Sequence, residues 1–261
     1  MLSLSSISLN FGGLQVLQEL DLSFSEGGIF GLIGPNGAGK TTVFNLITGL
    51  LAPGAGTIEF LGKRIDRMLP HRITRMGIAR TFQNIRIFRD MTLTENVLVA
   101  LGAAPSYRAT SVLLPWSGYR AAEQRDGEAA RGLLAKVDLA HNAERRAGAL
   151  SYGEQRRLEI ARALATKPRL LLLDEPAAGM NAVEKQQLVD KIIKLNGGGL
   201  SIFIIEHDMS VIMGLCHEIA VLNFGRLIAR GTPAQIRANR EVIEAYLGQD
   251  EGQPSERELI S

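Results

Sequence analysis

Residues Gly34-Pro35-Asn36-Gly37-Ala38-Gly39-Lys40-Thr41-Thr42 have the spacing of a phosphate cradle, G-x-x-x-x-G-K-[ST]. Glycines let backbone N–H groups wrap an anion. Lys40 reaches β- and γ-phosphate oxygens, and the Thr41 hydroxyl can face Mg²⁺. A second chemical stretch is RLLLLDE at 169–175. Its leucines read as a buried strand with Asp174 at the carboxyl end, where α/β sheets place ligands. Asp174 can orient Mg²⁺ through water, and Glu175 can polarise an attacking water as general base. His207 follows the apolar run SIFIIE and takes a similar strand-end place, from which a neutral imidazole can hydrogen-bond a γ-phosphate. Gln83, in ARTFQN, offers an amide to Mg²⁺ and to the lytic water. Phe11, in NFGGLQV, can stack on a base or fill a core. His71, His141 and His217 have no such placement and read as surface or packing residues.

The segment LSYGEQRRLEIARAL at 150–164 predicts a second anion-binding helix start. Ser151 and Glu154 form a capping box, and Leu158, Ala161 and Ala165 keep an apolar stripe at helical spacing. The cap requires Ser151 and Glu154 but not Gly153, which leaves exposed amides with two arginines close behind.

Several elements must position these groups. Leu2 and Leu4, then Ile7 and Leu9, then Leu20, Leu22 and Phe24 alternate as strands. Gly27-Gly28 reads as a turn, IFGLIG at 29–34 as a buried strand, and Val43, Phe44, Leu46 and Ile47 as one helix face ending near Gly49. TIEFLG at 57–62 reads as a strand after a Pro53-Gly54-Gly56 turn. From about 85 to 165 the spacing is helical, with a less regular stretch at 103–120. Strand patterns return with RLLLLDE, a helix through Lys191, SIFIIEH, and a strand pair in IAVLNFGRLIAR. Strands alternating with helices around a glycine loop predict a parallel α/β core with a helical insertion. The polar sequence after Gly248 reads as a mobile tail.

Bulk composition narrows the classes. The chain has 261 residues, 46% hydrophobic and 21% charged, with a formal net charge of +2. Its charges are interspersed, so nothing argues for nucleic acid as a partner. The single cysteine, Cys216, permits no internal disulfide and no cysteine metal site. The N-terminal residues lack the positive leader and apolar stretch of a signal peptide. No apolar run approaches the roughly 18 to 20 residues that span a bilayer.

In order, Phe11, GPNGAGKTT, Gln83, LSYGEQ, LLLLDEP and His207 resemble the ATP-binding cassette (ABC) ATPase family, over essentially the whole chain to about residue 248. The resemblance implies a P-loop NTPase with a RecA-like core and an N-terminal antiparallel β subdomain (about 1–83 and 166–248). It also implies an α-helical signature subdomain (about 84–165), and leaves 249–261 as the tail. ATP and Mg²⁺ are the implied ligands. Two cassettes are implied to close head to tail, so that Ser151, Tyr152, Gly153, Glu154 and Gln155 meet an ATP held by the other cassette, a paralogue or a second copy.

GIARTFQNIRIFRDMTLTENVLVA, DEPAAGMN, IEHDM and GTPAQIRANREVIEAYLG resemble the larger ATPase of bacterial branched-chain amino-acid importers. That implies two integral-membrane permease subunits, a periplasmic or extracellular binding protein acting through them, and a peripheral place on the cytoplasmic face of the membrane. SVLLPW at 111–116 is then a candidate docking patch or part of the helical core. Urea-importer and lipopolysaccharide-export ATPases share parts of the pattern. Tyr152 in place of the commonest glycine, Met180-Asn181 in place of Leu-Asp or Leu-Asn, and Phe11 in place of Tyr depart from the family without removing a catalytic group. A soluble cassette acting in translation or repair lacks support, since this sequence shows neither the second cassette of the translation type nor the long coiled coil of the repair type. A GTPase would need N-K-x-D, which TKPR at 166–169 does not supply, and Glu175 with His207 argue against a regulator without turnover.

Overall fold

The computed structural model describes the backbone of residues 1–102 and 117–250. The chain forms two compact units, one made from Met1–Pro70 and the chain from Ser201 onward, the other from His71–Leu200.

The first unit begins with a hairpin of β1 (Leu2–Phe11) and β2 (Leu14–Phe24), turned by Gly12-Gly13 so that Phe11 faces Leu14. The apolar residues of β1 change phase, from 2 and 4 to 7 and 9, which an unbroken strand of period two would turn outward. A bulge between Leu4 and Ile7, with Ser6 at φ 50, absorbs the extra residue, and Leu2, Leu4, Ile7 and Leu9 are all buried. β3 (Ile29–Ile33) is buried throughout and leads to α1 (Lys40–Ile47). β4 (Ala55–Phe60) and β5 (Lys63–Arg64) complete an antiparallel sheet of order β2-β1-β4-β5.

The second unit contains α2 (Pro70–Arg75), which starts at the unit boundary, β6 (Ile78–Arg80), α3 (Leu93–Gly102), α4 (Ser117–Lys136), α5 (Tyr152–Ala165), β7 (Leu170–Asp174) and α6 (Ala182–Gly197). α3, α4 and α5 pack around Leu93, Val97, Leu134, Leu158 and Ala161, all fully buried. Asn96 is buried with them because its amide bonds the Phe88 N–H and the carbonyls of Phe88 and Thr92, each at 2.9 Å. β6 and β7 pair in parallel with Arg80 opposite Leu172. The helix expected to run through Lys191 continues to Gly197, six residues farther. It is opened by a capping box of Asn181 and Glu184 and followed by Gly198. Of the stretch expected to be irregular, residues 117–120 open α4. SVLLPW, with the rest of 103–116, lies outside the described residues.

The chain returns to the first unit as β8 (Ser201–Ile205), α7 (Met209–Leu215), β9 (Glu218–Asn223), β10 (Arg226–Gly231), α8 (Pro233–Arg237) and α9 (Arg240–Asp250). β8, β3 and β9 are parallel neighbours, and β10 lies antiparallel on β9. Phe24, Phe30, Phe44 and Phe203 form a chain of ring contacts with centroids 4.4–5.0 Å apart. His217 is structural: its Nδ1 accepts the Ile29 N–H at 2.9 Å. Gln249 and Asp250, expected in the tail, close α9, and residues 251–261 lie outside the described part.

Cys216 is buried beside Gly31, where an added Cβ would stand 2.9 Å from its sulfur. Burial pushes the Cys216 thiol up to about 12, so native protein holds almost no thiolate at neutral pH. We expect no reaction with a disulfide reagent until the chain is unfolded, when one thiol per chain titrates. Fast stoichiometric labelling of folded protein would contradict this burial.

Candidate functional site

The phosphate-cradle residues lie in the first unit, between β3 and α1. Gly34, at φ 146, passes so close to β9 that a Cβ there would stand 2.0 Å from the Leu222 carbonyl oxygen. Gly39, at φ 102, sits at the N-cap of α1, where no side chain caps the first amides and no acidic residue occupies the first turn. The positive end of the helix dipole is therefore presented without a competing carboxylate. Lys40 is buried and curls over the loop, its Nζ donating to the carbonyls of Gly34 at 2.6 Å and Pro35 at 2.8 Å. Thr41 is exposed on the first turn of α1. Phe11 is 49% exposed at the hairpin end, so its ring faces solvent and does not fill the core. The His207 side chain is 64% exposed just beyond β8. Its backbone is fixed by buried Glu206, whose Oε2 accepts the N–H groups of His207 at 3.0 Å and Asp208 at 3.4 Å.

The acidic residues lie in the second unit at the end of β7. Asp174 is buried and its Oδ2 receives the Arg80 guanidinium at 2.6 Å, with both side chains shielded from solvent. Thr81 Oγ1 accepts the Asp174 N–H at 3.4 Å. Glu175 adopts φ 46, a left-handed conformation uncommon for a residue with a side chain. Gln83 Nε2 donates to Glu175 Oε2 at 2.9 Å. Residues 80–83 thus hold both carboxylates. Gln83 and Glu175, two of the residues singled out in the sequence, are thereby brought together. Arg80 is not among the residues that the sequence singles out, because its place beside Asp174 depends on the pairing of β6 with β7.

The expected capping box opens α5. Ser151 Oγ accepts the Glu154 N–H at 3.3 Å and Glu154 Oε2 accepts the Ser151 N–H at 2.8 Å. Burial raises the Glu154 carboxyl, but the Ser151 N–H and hydroxyl together with the charges of Arg157 and Arg145 outweigh it and hold the group below the usual range. Gln155 bonds the Leu150 carbonyl at 3.0 Å. Gly153 has a packing role of its own, because a Cβ there would stand 3.1 Å from Glu184 Oε1 on α6. The ring of Tyr152 lies over Gly179, and its hydroxyl accepts from Arg156 at 3.2 Å.

Arg156, one of the two arginines expected to stand close behind the anion-binding amides, is buried, and so is Glu159 one turn on. The Arg156 guanidinium donates to the carbonyls of Phe82 and Gln83. Glu159 accepts the Phe82 N–H at 3.2 Å and pairs with Arg156 at 3.1 Å. Burial lifts the Glu159 carboxyl above its usual range, and the Phe82 N–H and Arg156 only partly oppose it. A continuous run of contacts therefore joins Tyr152 through Arg156 to the Gln83 backbone, whose side chain holds Glu175. Arg162 donates to the Arg86 carbonyl and lies 5.0 Å over the Phe88 ring.

Comparison with known proteins places the chain in a family. The family model described as ABC transporter matches residues 17–178, and one described as branched-chain amino acid ATP-binding cassette transporter matches 226–252. The chain is 44% identical over 250 residues to the high-affinity branched-chain amino acid transport ATP-binding protein BraF of Pseudomonas aeruginosa, covering 95% of this chain and 98% of that one. It has the same identity and coverage with LivG of Escherichia coli K12. The ADP conformation of MJ1267, an ATP-binding cassette of an ABC transporter, superposes with a TM-score of 0.83 at 30% identity, covering 95% of this chain and 98% of that one. The chain belongs to the ABC transporter family and is one of its ATP-binding ATPase subunits.

Proposed function

We propose that the chain hydrolyses ATP to drive an importer of branched-chain amino acids, working as the cytoplasmic-face partner of two integral-membrane permease subunits and, through them, of a binding protein outside the membrane. Near full-length similarity to BraF and LivG supports the cargo. Among the described residues no helix is long and apolar enough to cross a membrane, which fits a peripheral subunit. Glu175 carries the enzymatic assignment: a half-buried carboxylate at a strand end, in a strained conformation and held by an amide that can also orient water.

The amides of 34–42, with Lys40, Thr41 and Thr42, bind the phosphates of ATP, and Phe11 stacks on the base. Thr41, Gln83 and Asp174 offer a hydroxyl, an amide oxygen and a carboxylate. Such a sparse oxygen donor set suits Mg²⁺, which keeps several waters and shares phosphate oxygens. When bound, the metal neutralises charge on the β- and γ-phosphates. Glu175 takes a proton from water as its oxygen bonds the γ-phosphorus and the bond to the ADP oxygen breaks. Gln83 exchanges its bond to Glu175 for this water, and His207 steadies the γ-phosphate. Ser151 to Gln155 face the ATP of a second cassette, paralogue or copy, in a head-to-tail dimer.

Glu175→Gln should bind Mg²⁺·ATP with near-normal affinity while hydrolysis falls about 10²-fold or more; normal turnover would remove Glu175 from the general-base role. Lys40→Ala should instead weaken nucleotide binding itself, as read by calorimetry. Ser151→Arg should abolish hydrolysis but leave the chain's own ATP affinity intact, and a matching loss of affinity would refute the intermolecular role. Arg156→Met leaves the Glu159 charge buried without its partner and should cost about 3–5 kcal/mol in denaturant unfolding. For cargo, deleting the gene should abolish ATP-dependent uptake of labelled leucine or valine; loss of urea uptake alone would reassign the importer.

A further inference from the structure

We propose that Arg80 is the standing counter-ion of Asp174 and makes metal binding at that carboxylate conditional on nucleotide. This rests on the proposed role of Asp174 toward Mg²⁺. The pair is unusual in its setting. Asp174 closes β7 after four buried leucines, and the Arg80 side chain that reaches its Oδ2 at 2.6 Å is itself only 7% exposed. A carboxylate taken this far from water must be balanced by a cation with good geometry. Either a resident metal or a protein side chain can do this, and here β6 supplies the side chain. The parallel register sets Arg80 opposite Leu172, two residues before Asp174, so the reach is built into strand pairing and does not depend on a loop. The guanidinium carbon also lies 5.5 Å from the Phe82 ring centre, which limits its other rotamers. Arginine suits this duty better than lysine, because its charge is permanent and its weaker hydration makes it less costly to bury.

The chemical consequence concerns the order of binding. Mg²⁺ gives up water reluctantly and needs one or two carboxylates together with phosphate oxygens. With its charge already matched by Arg80, Asp174 offers little net attraction to a bare divalent cation. The phosphates of ATP add the negative charge that makes Mg²⁺ favourable. Arg80 thus acts as a positioning residue through Asp174, and it suppresses a bare-metal site at this strand end.

The test compares wild type, R80Q, R80K, D174N and R80Q/D174N, with MgCl₂ or MnCl₂ alone and with Mg²⁺·ATP, by thermal melting and Mn²⁺ electron paramagnetic resonance. Wild type should show no site-specific response to metal alone. R80Q should bind bare Mn²⁺ about tenfold tighter or more, the low end of what a close charge pair is worth, and its melting temperature should rise with Mg²⁺. R80Q/D174N should lose that response, and R80K should fall between R80Q and wild type. A purely structural Arg80 would lower the melting temperature equally with and without metal. R80Q with no more metal response than wild type, while D174N still weakens Mg²⁺·ATP binding, overturns the counter-ion role and leaves Asp174 its metal role. D174N with unchanged Mg²⁺·ATP binding removes the metal role and this proposal with it. Where R80Q does not fold, R80M, which keeps the length of the side chain without its charge, carries the test, and wild-type metal behaviour in R80M overturns the proposal.

Discussion

Asp174 is a negative charge at the end of a strand whose other four residues are leucines, and the surroundings of β7 are organised around keeping it there. An unbalanced carboxylate in such a place costs several kcal/mol even after relaxation. Arg80 supplies the balance from the neighbouring strand, and Thr81 takes the backbone N–H of Asp174. The segment that provides both then continues to Gln83, which holds Glu175. Charge compensation and placement of the proposed general base are therefore tasks of one four-residue stretch. Its own anchoring comes from Arg156 and Glu159 on α5, which bond the Phe82–Gln83 backbone from a buried position.

The phosphate cradle obeys a different constraint. Its geometry depends on the absence of side chains: at Gly34 a Cβ would collide with a backbone carbonyl of β9, and Gly39 must turn left-handed for α1 to begin where it does. Both positions are fixed by backbone sterics. Lys40 is held by the loop's own carbonyls, so its ammonium is stored against the same backbone that presents the amides. The cradle is consequently assembled by local chain geometry, whereas the acidic end of β7 is assembled by side chains distant in sequence.

That difference explains what could be read from the amino-acid order. The loop at 34–42 and the capping box at 151 and 154 were legible because each depends on neighbours within a few residues. The leucine run marked the strand-end place of Asp174 and Glu175 but not the side chains that hold them there. The bulge in β1 was visible as a change of phase in its apolar residues but not as a conformation. Arg80, Arg156, Glu159 and Glu206 were not found, since charged side chains read as solvent-facing unless their partners are known. Their partners lie up to 94 residues away in the case of Arg80 and up to 77 for Glu159, and only strand and helix packing brings them together. Glu206 is the exception: its partners are the next two amides, and its burial at the end of β8 was the missing information.

The residues at the start of α5 gain a double meaning from the same reasoning. Gly153 is short of space against Glu184, and Tyr152 rests over Gly179 while its hydroxyl meets Arg156. A glycine at 152 would leave the backbone amides of Ser151 to Gln155 in place but would break the contact leading to Gln83. Tyr152 is therefore better understood as a link than as a departure from the commoner glycine. Its ring and hydroxyl tie the residues proposed to meet one ATP to the backbone that positions Glu175. The proposed partner-facing surface and the proposed general base thus belong to one hydrogen-bonded group inside the second unit, joined through Arg156.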